Sequence, residues 1–307
     1  MATALQILHD SISFIFSHLL IINVLLSIVV VFFQRRNPKS VWAWLLILYF
    51  IPVLGFVFYL LIGADMHKRK MFRTKEIEDR LANAIRRQEL MIRSQELKEK
   101  YPGVTDYSDL VMYHLHTTSA MLTDDNNVEF FVNGEDKFAA LKEDMRNAKK
   151  SIHIQYYIIK NDELFRSIVE ILKEKVKEGV KVRILYDSMG CWKMRKKIWK
   201  QLEKEGIQCT EFFPALVGRL HLRINYRNHR KIVVIDDCIG YVGGFNIGKE
   251  YIDKDPKFGH WRDTHMRITG SSVTALEARF ILDWNFADRK RLLSYEDYMD
   301  NLKMEHT

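Results

Sequence analysis

The chain has 307 residues, 48% of them hydrophobic, and a net charge of +8. Its three cysteines, Cys191, Cys209 and Cys238, are few, widely spaced and odd in number, which excludes a disulfide framework and a zinc or redox motif and points to a reducing compartment. The positive balance suits lipid head groups, nucleic acid or a phosphorylated substrate, but it equally fits the basic flank of a membrane anchor, so charge selects no ligand.

Ile12 to Phe33 is apolar apart from Ser13, Ser17, His18, Asn23 and Ser27. It is long enough for the roughly 20 residues that a bilayer crossing needs. Val41 to Ile62 is a second such run. Its Pro52 and Gly55 are tolerable in a membrane helix, and Trp42 and Tyr59 lie near its ends, where interfacial aromatics sit. A cleaved signal peptide is the rival for the first run. No Lys or Arg precedes Ile12 and no small-residue cleavage site follows, which favours an anchor. Both runs exceed the usual length of a core helix, which disfavours a buried soluble hairpin. Arg35, Arg36 and Lys39 occupy the link, while Lys68, Arg69, Lys70, Arg73, Lys75 and Arg80 follow the second run. The heavier positive side places the globular part in the cytoplasm, on a multi-pass anchor in the cell membrane.

Residues 1–65 thus form the expected anchor, and 66–103 a juxtamembrane helical linker. Within the linker, Thr74 to Lys100 reads as one polar helix stopped by Tyr101-Pro102-Gly103, a solvated spacer. Residues 104–307 form the expected globular domain. Helices are predicted over Gly134–Ala148, Glu163–Lys177, Trp192–Lys204 and Val273–Phe286. Strands are predicted over Ser151–Ile159, Val180–Tyr186, Gln208–Phe213, Lys231–Asp236, Gly240–Gly244 and Thr264–Ile268. Leu216 to Tyr226 has no strong periodicity. The alternation predicts an α/β domain, a parallel or mixed sheet flanked by helices, with ligands at strand ends.

Chemistry concentrates in Asn228-His229-Arg230-Lys231, the apolar run to Asp236, and Gly243-Gly244-Phe245-Asn246. His229 and Lys231 are two apart at a strand start, so their side chains share a face. Ile232 to Ile235 anchor that strand in the core and so fix both side chains. Asp236 falls at an odd offset and takes an orienting or turn role. Gly243 and Gly244 allow close backbone approach, and Asn246 can offer an amide to a phosphate oxygen. An imidazole, an ammonium and an amide around one point suit phosphoryl transfer through a phosphohistidine, with no metal or other cofactor required. An isolated H-x-K-x4-D pattern is weak, and a solvated His-Lys pair would explain it; G-G-x-N at a fixed offset makes the signal specific.

H-x-K-x4-D followed by G-G-x-N is similar to the signature of the phospholipase D superfamily. Gly248, Glu250-Tyr251, Trp261-Arg262-Asp263-Thr264-His265, Gly270, Phe280 and Asp283-Trp284, with Arg35-Arg36-Asn37-Pro38-Lys39-Ser40 and Trp42-Ala43-Trp44, resemble the first half of the bacterial cardiolipin synthases. The resemblance implies one phospholipase D-like domain behind a two-helix transmembrane hairpin. It implies a transferase that converts two phosphatidylglycerols to cardiolipin and glycerol. It makes His229, Lys231 and Asp236 the catalytic candidates, and Asn246 and Gly244 the phosphate-binding ones. Phosphatidylglycerol, other anionic phospholipids and the membrane are the expected partners, and nucleic acid is not.

The chemistry needs two histidines, and only His229 of the chain's 11 histidines stands in an H-x-K pattern. A second half is therefore expected, from a homodimer or from a separate chain, unless the chain is an inactive truncated half. A membrane-anchored phosphodiesterase or nuclease on the same fold is the other alternative.

Overall fold

The computed structural model of the chain describes residues 38–51, 85–94, 99, 102–213, 227–294 and 297–298, with scattered positions before residue 29. Two compact units divide the chain, Met1–Met71 with Ala215–Tyr226, and Phe72–Pro214 with Arg227–Thr307. In the first unit, helix α1 spans Pro38–Phe50 and exposes Trp42, Leu46, Tyr49 and Phe50. Among the described residues no helix is long and apolar enough to cross a membrane. The predicted run Ile12–Phe33, most of the second run beyond Phe50, and Leu216–Tyr226 lie largely or wholly outside the described residues.

In the second unit, residues 85–93 are helical and pair with α2, Ser108–Thr118. Ile92 and Leu115 are buried between them, with Ile85, Met91, Val111 and Met112 alongside. The Gln88 amide donates to the Leu122 carbonyl and accepts from its N–H, both at 2.8 Å. This part of the predicted spacer is thus packed by its apolar side, and is not fully solvated.

The sheet has seven strands: β1 Asn127–Phe131, β2 Ser151–Tyr156, β3 Lys181–Asp187, β4 Gln208–Phe212, β5 Lys231–Ile235, β6 Ile239–Gly243 and β7 His265–Thr269. Their order is β1-β7-β6-β5-β2-β3-β4. β2, β3 and β4 run parallel, and every other pairing is antiparallel. The sheet is therefore mixed, as the alternation of elements predicts. Helices α3, Gly134–Asn147, and α4, Glu163–Lys177, cover one face with Phe138, Leu141, Ile168 and Leu172 against Ile152, Ile154, Val182 and Val233. Helix α6, Val273–Ala287, covers the other, setting Phe280, Ile281 and Trp284 against Leu185 and Phe212. Burial on both faces explains why every residue of β2 is buried, His153 and Gln155 included. Those two point toward α6 and are met by Glu277 at 2.6 Å and Asp283 at 2.7 Å.

Helix α4 starts where Asp162 accepts the Phe165 N–H at 3.2 Å and ends with Lys175 and Lys177 in its last turn. Helix α5 spans Lys196–Lys204 and begins four residues later than its composition predicts. Residues 188–195 are drawn into turns instead, because Asp187 takes the N–H groups of Met189 at 2.9 Å and Gly190 at 3.0 Å.

Strand direction then gathers the chemistry. The C-terminal ends of the parallel strands coincide with the start of β5, the end of β6 and the start of β7, as the pairs Tyr156–Lys231 and Gly243–His265 show. Segments 157–162, 188–195, 227–230 and 244–263 consequently all leave from one end of the sheet.

Candidate active site

Lys231 opens β5 and His229 lies two residues before it, so the pleat turns both to one side. Lys231 Nζ lies 3.0 Å from His229 Nδ1 and 3.2 Å from Nε2, and it donates to the His229 carbonyl oxygen at 3.0 Å. The imidazole is exposed while the lysine is buried. Burial lowers the His229 pKa, the Lys231 charge lowers it further, and Asp187 opposes both. Burial pulls the Lys231 ammonium down against the opposing Asp263 carboxylate, leaving its pKa at about 8. At neutral pH the pair is a neutral imidazole, with a nitrogen lone pair, beside a cation. That combination can attack a phosphodiester, whereas giving a proton to the leaving alcohol needs the imidazolium.

Residues remote in sequence hold this pair in place. The Tyr157 ring stands 4.5 Å from the His229 ring. Asp187, at the end of β3, accepts the Asn228 N–H at 3.0 Å. Asp283, fully buried on α6, accepts from Asn228 Nδ2 at 2.9 Å and from Arg230 Nη1 at 3.1 Å. Both neighbours of His229 are thereby fixed while its ring stays open. Asn228 and Asp283 fall in stretches that the sequence singles out, but nothing local gives them, or Asp187 and Tyr157, a positioning role. Their signal is in the topology, which brings three strand ends and one helix together.

Asn246 is buried, with Oδ1 accepting the Ile158 N–H at 3.1 Å and Nδ2 donating to the Tyr251 hydroxyl at 2.9 Å. One amide hydrogen remains for a ligand. Gly244 passes directly beneath Asp263. A Cβ at Gly244 would lie 1.9 Å from Asp263 Oδ1, whereas the Gly244 N–H donates to the Thr264 carbonyl at 2.9 Å. Gly244→Ala is expected to displace that carboxylate and cost about 2 kcal/mol of stability. Urea unfolding measures the loss, and an unchanged midpoint refutes the close-approach argument.

Asp236 is placed at the far end of β5 from His229. Asp236 and Asp237 both have positive φ, 53° and 59°, in a type I′ turn closed by the Cys238 N–H to the Ile235 carbonyl at 3.1 Å. The Asp236 carboxylate accepts the N–H groups of Lys149 and Lys150, each at 2.7 Å, and of Ser151 at 2.9 Å. It thus clamps the entry of β2 to the exit of β5. Asp236→Ala is expected to cost about 2–4 kcal/mol, from lost charge-assisted bonds and a left-handed backbone without its usual residue type. Asp236→Asn is expected to cost less. Equal stability of the two variants and the parent in denaturant would contradict this.

Beneath the site lies a buried polar row. His265 is buried, and neither ring nitrogen has a hydrogen-bond partner among the described residues. Its ring crosses Gly243, whose added Cβ would sit 2.7 Å from His265 Cγ. Burial first, then the Lys137 and Lys231 charges, hold its pKa at about 2, so the imidazole is neutral. Buried Lys137 donates to the Tyr156 hydroxyl at 2.7 Å, and burial depresses its pKa well below the usual lysine range.

Residues 141–259 match the family described as "Cardiolipin synthase, PLD-like domain", and residues 21–63 match "Phospholipase_D-nuclease N-terminal". The Major cardiolipin synthase ClsA of Bacillus subtilis is 44% identical over 287 residues, covering 92% of this chain and 59% of the relative. A cardiolipin synthase of Oceanobacillus iheyensis is 42% identical over 279 residues, covering 91% of the chain and 58% of the relative. One from Staphylococcus aureus is 43% identical over 284 residues, with 92% and 58% covered. The chain thus spans somewhat more than half the length of these relatives. Over nearly all of its own length the chain is similar to bacterial cardiolipin synthases, and its H-x-K site on a mixed α/β sheet falls at the part that matches a phospholipase D-like domain.

Proposed function

We propose that the chain supplies one half of a phosphatidyl transferase that makes cardiolipin from phosphatidylglycerol. The observation that carries this reading is the Lys231 ammonium held 3.0 Å from a solvent-facing His229 imidazole. Lys231 and the free amide hydrogen of Asn246 bind the phosphate oxygens of one lipid. A histidine nitrogen attacks phosphorus and forms a P–N bond as the P–O bond to glycerol breaks. A second histidine gives glycerol its proton, then takes one from the hydroxyl of a second phosphatidylglycerol. That hydroxyl oxygen displaces the first histidine from phosphorus and yields cardiolipin. His229 is one of these two groups, and the other comes from a second phospholipase D-like half, provided by a second copy or a separate chain. Positively charged flanks and the runs 12–33 and 41–62 support a multi-pass anchor in the cell membrane with the catalytic domain in the cytoplasm. The exposed apolar surface of α1 agrees with a lipid environment.

The test is to reconstitute the chain with a second half in vesicles containing labelled phosphatidylglycerol. Cardiolipin and glycerol should appear in equal amounts. Cleavage of added DNA without lipid turnover would instead favour the nuclease alternative.

A further inference from the structure

The site end of the sheet carries two exposed aromatic side chains, on segments that leave strands lying on opposite sides of β5 in the sheet order. Trp192, in the segment after β3, is 57% exposed, with Lys193 Nζ 5.5 Å above its ring. Phe258, in the segment between β6 and β7, is 47% exposed, with Lys257 Nζ at 5.9 Å and Lys160 Nζ at 5.6 Å from its ring centre. Large apolar side chains of this exposure cost solvation unless something covers them.

Each arm is tied rigidly to the site. The first is anchored where Cys191 Sγ accepts the Ile159 N–H at 3.2 Å and where Gly190 abuts the Tyr157 carbonyl, against which a Cβ would stand at 1.9 Å. Tyr157 is the ring beside His229. The second is anchored where Trp261 stacks edge-on to Tyr251 at 4.8 Å, the residue whose hydroxyl meets Asn246.

Charge follows the same geometry. Lys193, Arg195, Lys196 and Lys197 are exposed, and no ion pair is formed by any of them among the described residues. Lys196 and Lys197 occupy the first turn of α5, where acidic residues are favoured and none is present. On the second arm, Lys257 and Arg262 are likewise exposed, while three of the acids there are engaged: Glu250 by Lys160, Asp255 by Lys249 at 3.6 Å and Asp253 by His260 at 2.7 Å. The opposite end of the sheet also has exposed lysines, Lys149, Lys177 and Lys181, but differs in its apolar surface. Lys150 is paired with Asp237 at 2.6 Å and Lys175 with Glu178 at 2.5 Å, and segments 148–151, 178–181 and 236–239 expose no large hydrophobic side chain.

We propose that the site end of the domain docks on an anionic phospholipid bilayer, with Trp192 and Phe258 entering the head-group boundary and the unpaired cations of both arms meeting lipid phosphates. Aromatic side chains flanked by lysines favour that boundary, and each lysine or arginine near an anionic surface adds attraction. Docking in this pose turns the open face of His229 toward the plane of lipid phosphates. The inference rests on the lipid reading of the site but concerns where the domain binds, not what it catalyses.

Hydrogen exchange of the full chain, in nanodiscs of phosphatidylglycerol mixed with phosphatidylcholine and in discs of phosphatidylcholine alone, tests it. Peptides covering 188–198 and 254–262 should exchange roughly tenfold more slowly in the anionic discs, while a peptide covering 173–183 should not change. About 0.5 M salt should remove much of the difference by screening. Charge reversal at Lys193, Arg195, Lys196 and Lys197 together, and separately Trp192→Ser with Phe258→Ser, should each reduce the protection without altering 173–183, which reports on folding. His229→Ala should retain it. Equal exchange in both discs overturns the proposal, as does protection by a DNA duplex in neutral discs without protection by phosphatidylglycerol. Protection by the lipid in a chain whose reconstituted form makes no cardiolipin leaves docking standing and removes the catalytic reading instead.

Discussion

His229→Ala is expected to abolish phosphatidyl transfer, lowering turnover in the reconstituted system by on the order of 10⁴-fold or more, about 5.5 kcal/mol of transition-state stabilisation. The size follows from the role. Whether the imidazole forms the P–N bond or protonates the leaving glycerol, His229 is, among the described residues, the one side chain hydrogen-bonded to Lys231 Nζ. The fold should be indifferent to the change. His229 is exposed, its ring touches Tyr157 at 4.5 Å, and its backbone is fixed through Asn228 and Arg230, not through its own side chain. Unfolding midpoints of parent and variant should therefore agree within about 0.5 kcal/mol. Cardiolipin formed at the parental rate would end the claim that this histidine does chemistry. A rapid alkaline quench adds a further distinction. Label retained on the chain assigns His229 the attacking role, and label retained on the second half assigns it the proton-transfer role.

What the sequence shows and what it conceals divide along the range of the interaction. The apolar periodicity of Glu163–Lys177 yields α4 with both ends correct, because its Asp162 cap and basic last turn are local signals. The two-residue period of a strand is enough to place His229 and Lys231 on one side. β1 escapes because an edge strand that exposes Val128 and Phe130 and buries only Phe131 shows no inward alternation. α2 escapes because its single buried side chain, Leu115, gives no apolar stripe. The supports of the site are also hidden. Asp187 and Asp283 lie 41 and 55 residues from Asn228, and only the strand order carries them to it. The Asp236 carboxylate likewise meets amides 85–87 residues upstream, at a turn whose partner segment no local pattern names.

Lys231 offers the second large effect, and its pH dependence separates a binding cation from a structural one. Lys231→Met should lower kcat/KM by about 10²–10³, the usual consequence of removing one charge that faces a developing phosphate charge. Stability should hold or rise slightly, because the substitution removes a buried ammonium whose charged form burial already disfavours. In the parent, that ammonium has a pKa of about 8 and is protonated below it. The free protein should then lose kcat/KM about tenfold for each pH unit above 8, as the cation is neutralised. Where His229 is the attacking group, kcat/KM should fall on the acid side only below the ordinary histidine range, because burial and the Lys231 charge depress its pKa. A bound phosphodiester is negative and favours the charged lysine, so the alkaline limb of kcat should lie above that of kcat/KM. Lys231→Arg keeps the charge at every accessible pH, and although its larger fork fits the buried slot poorly and reduces the rate, its profile should lose the limb near pH 8 and keep only the one set by the proton-donating histidine. An alkaline limb that persists near pH 8 in Lys231→Arg would show that another group titrates there and that Lys231 is not the cation binding the phosphate.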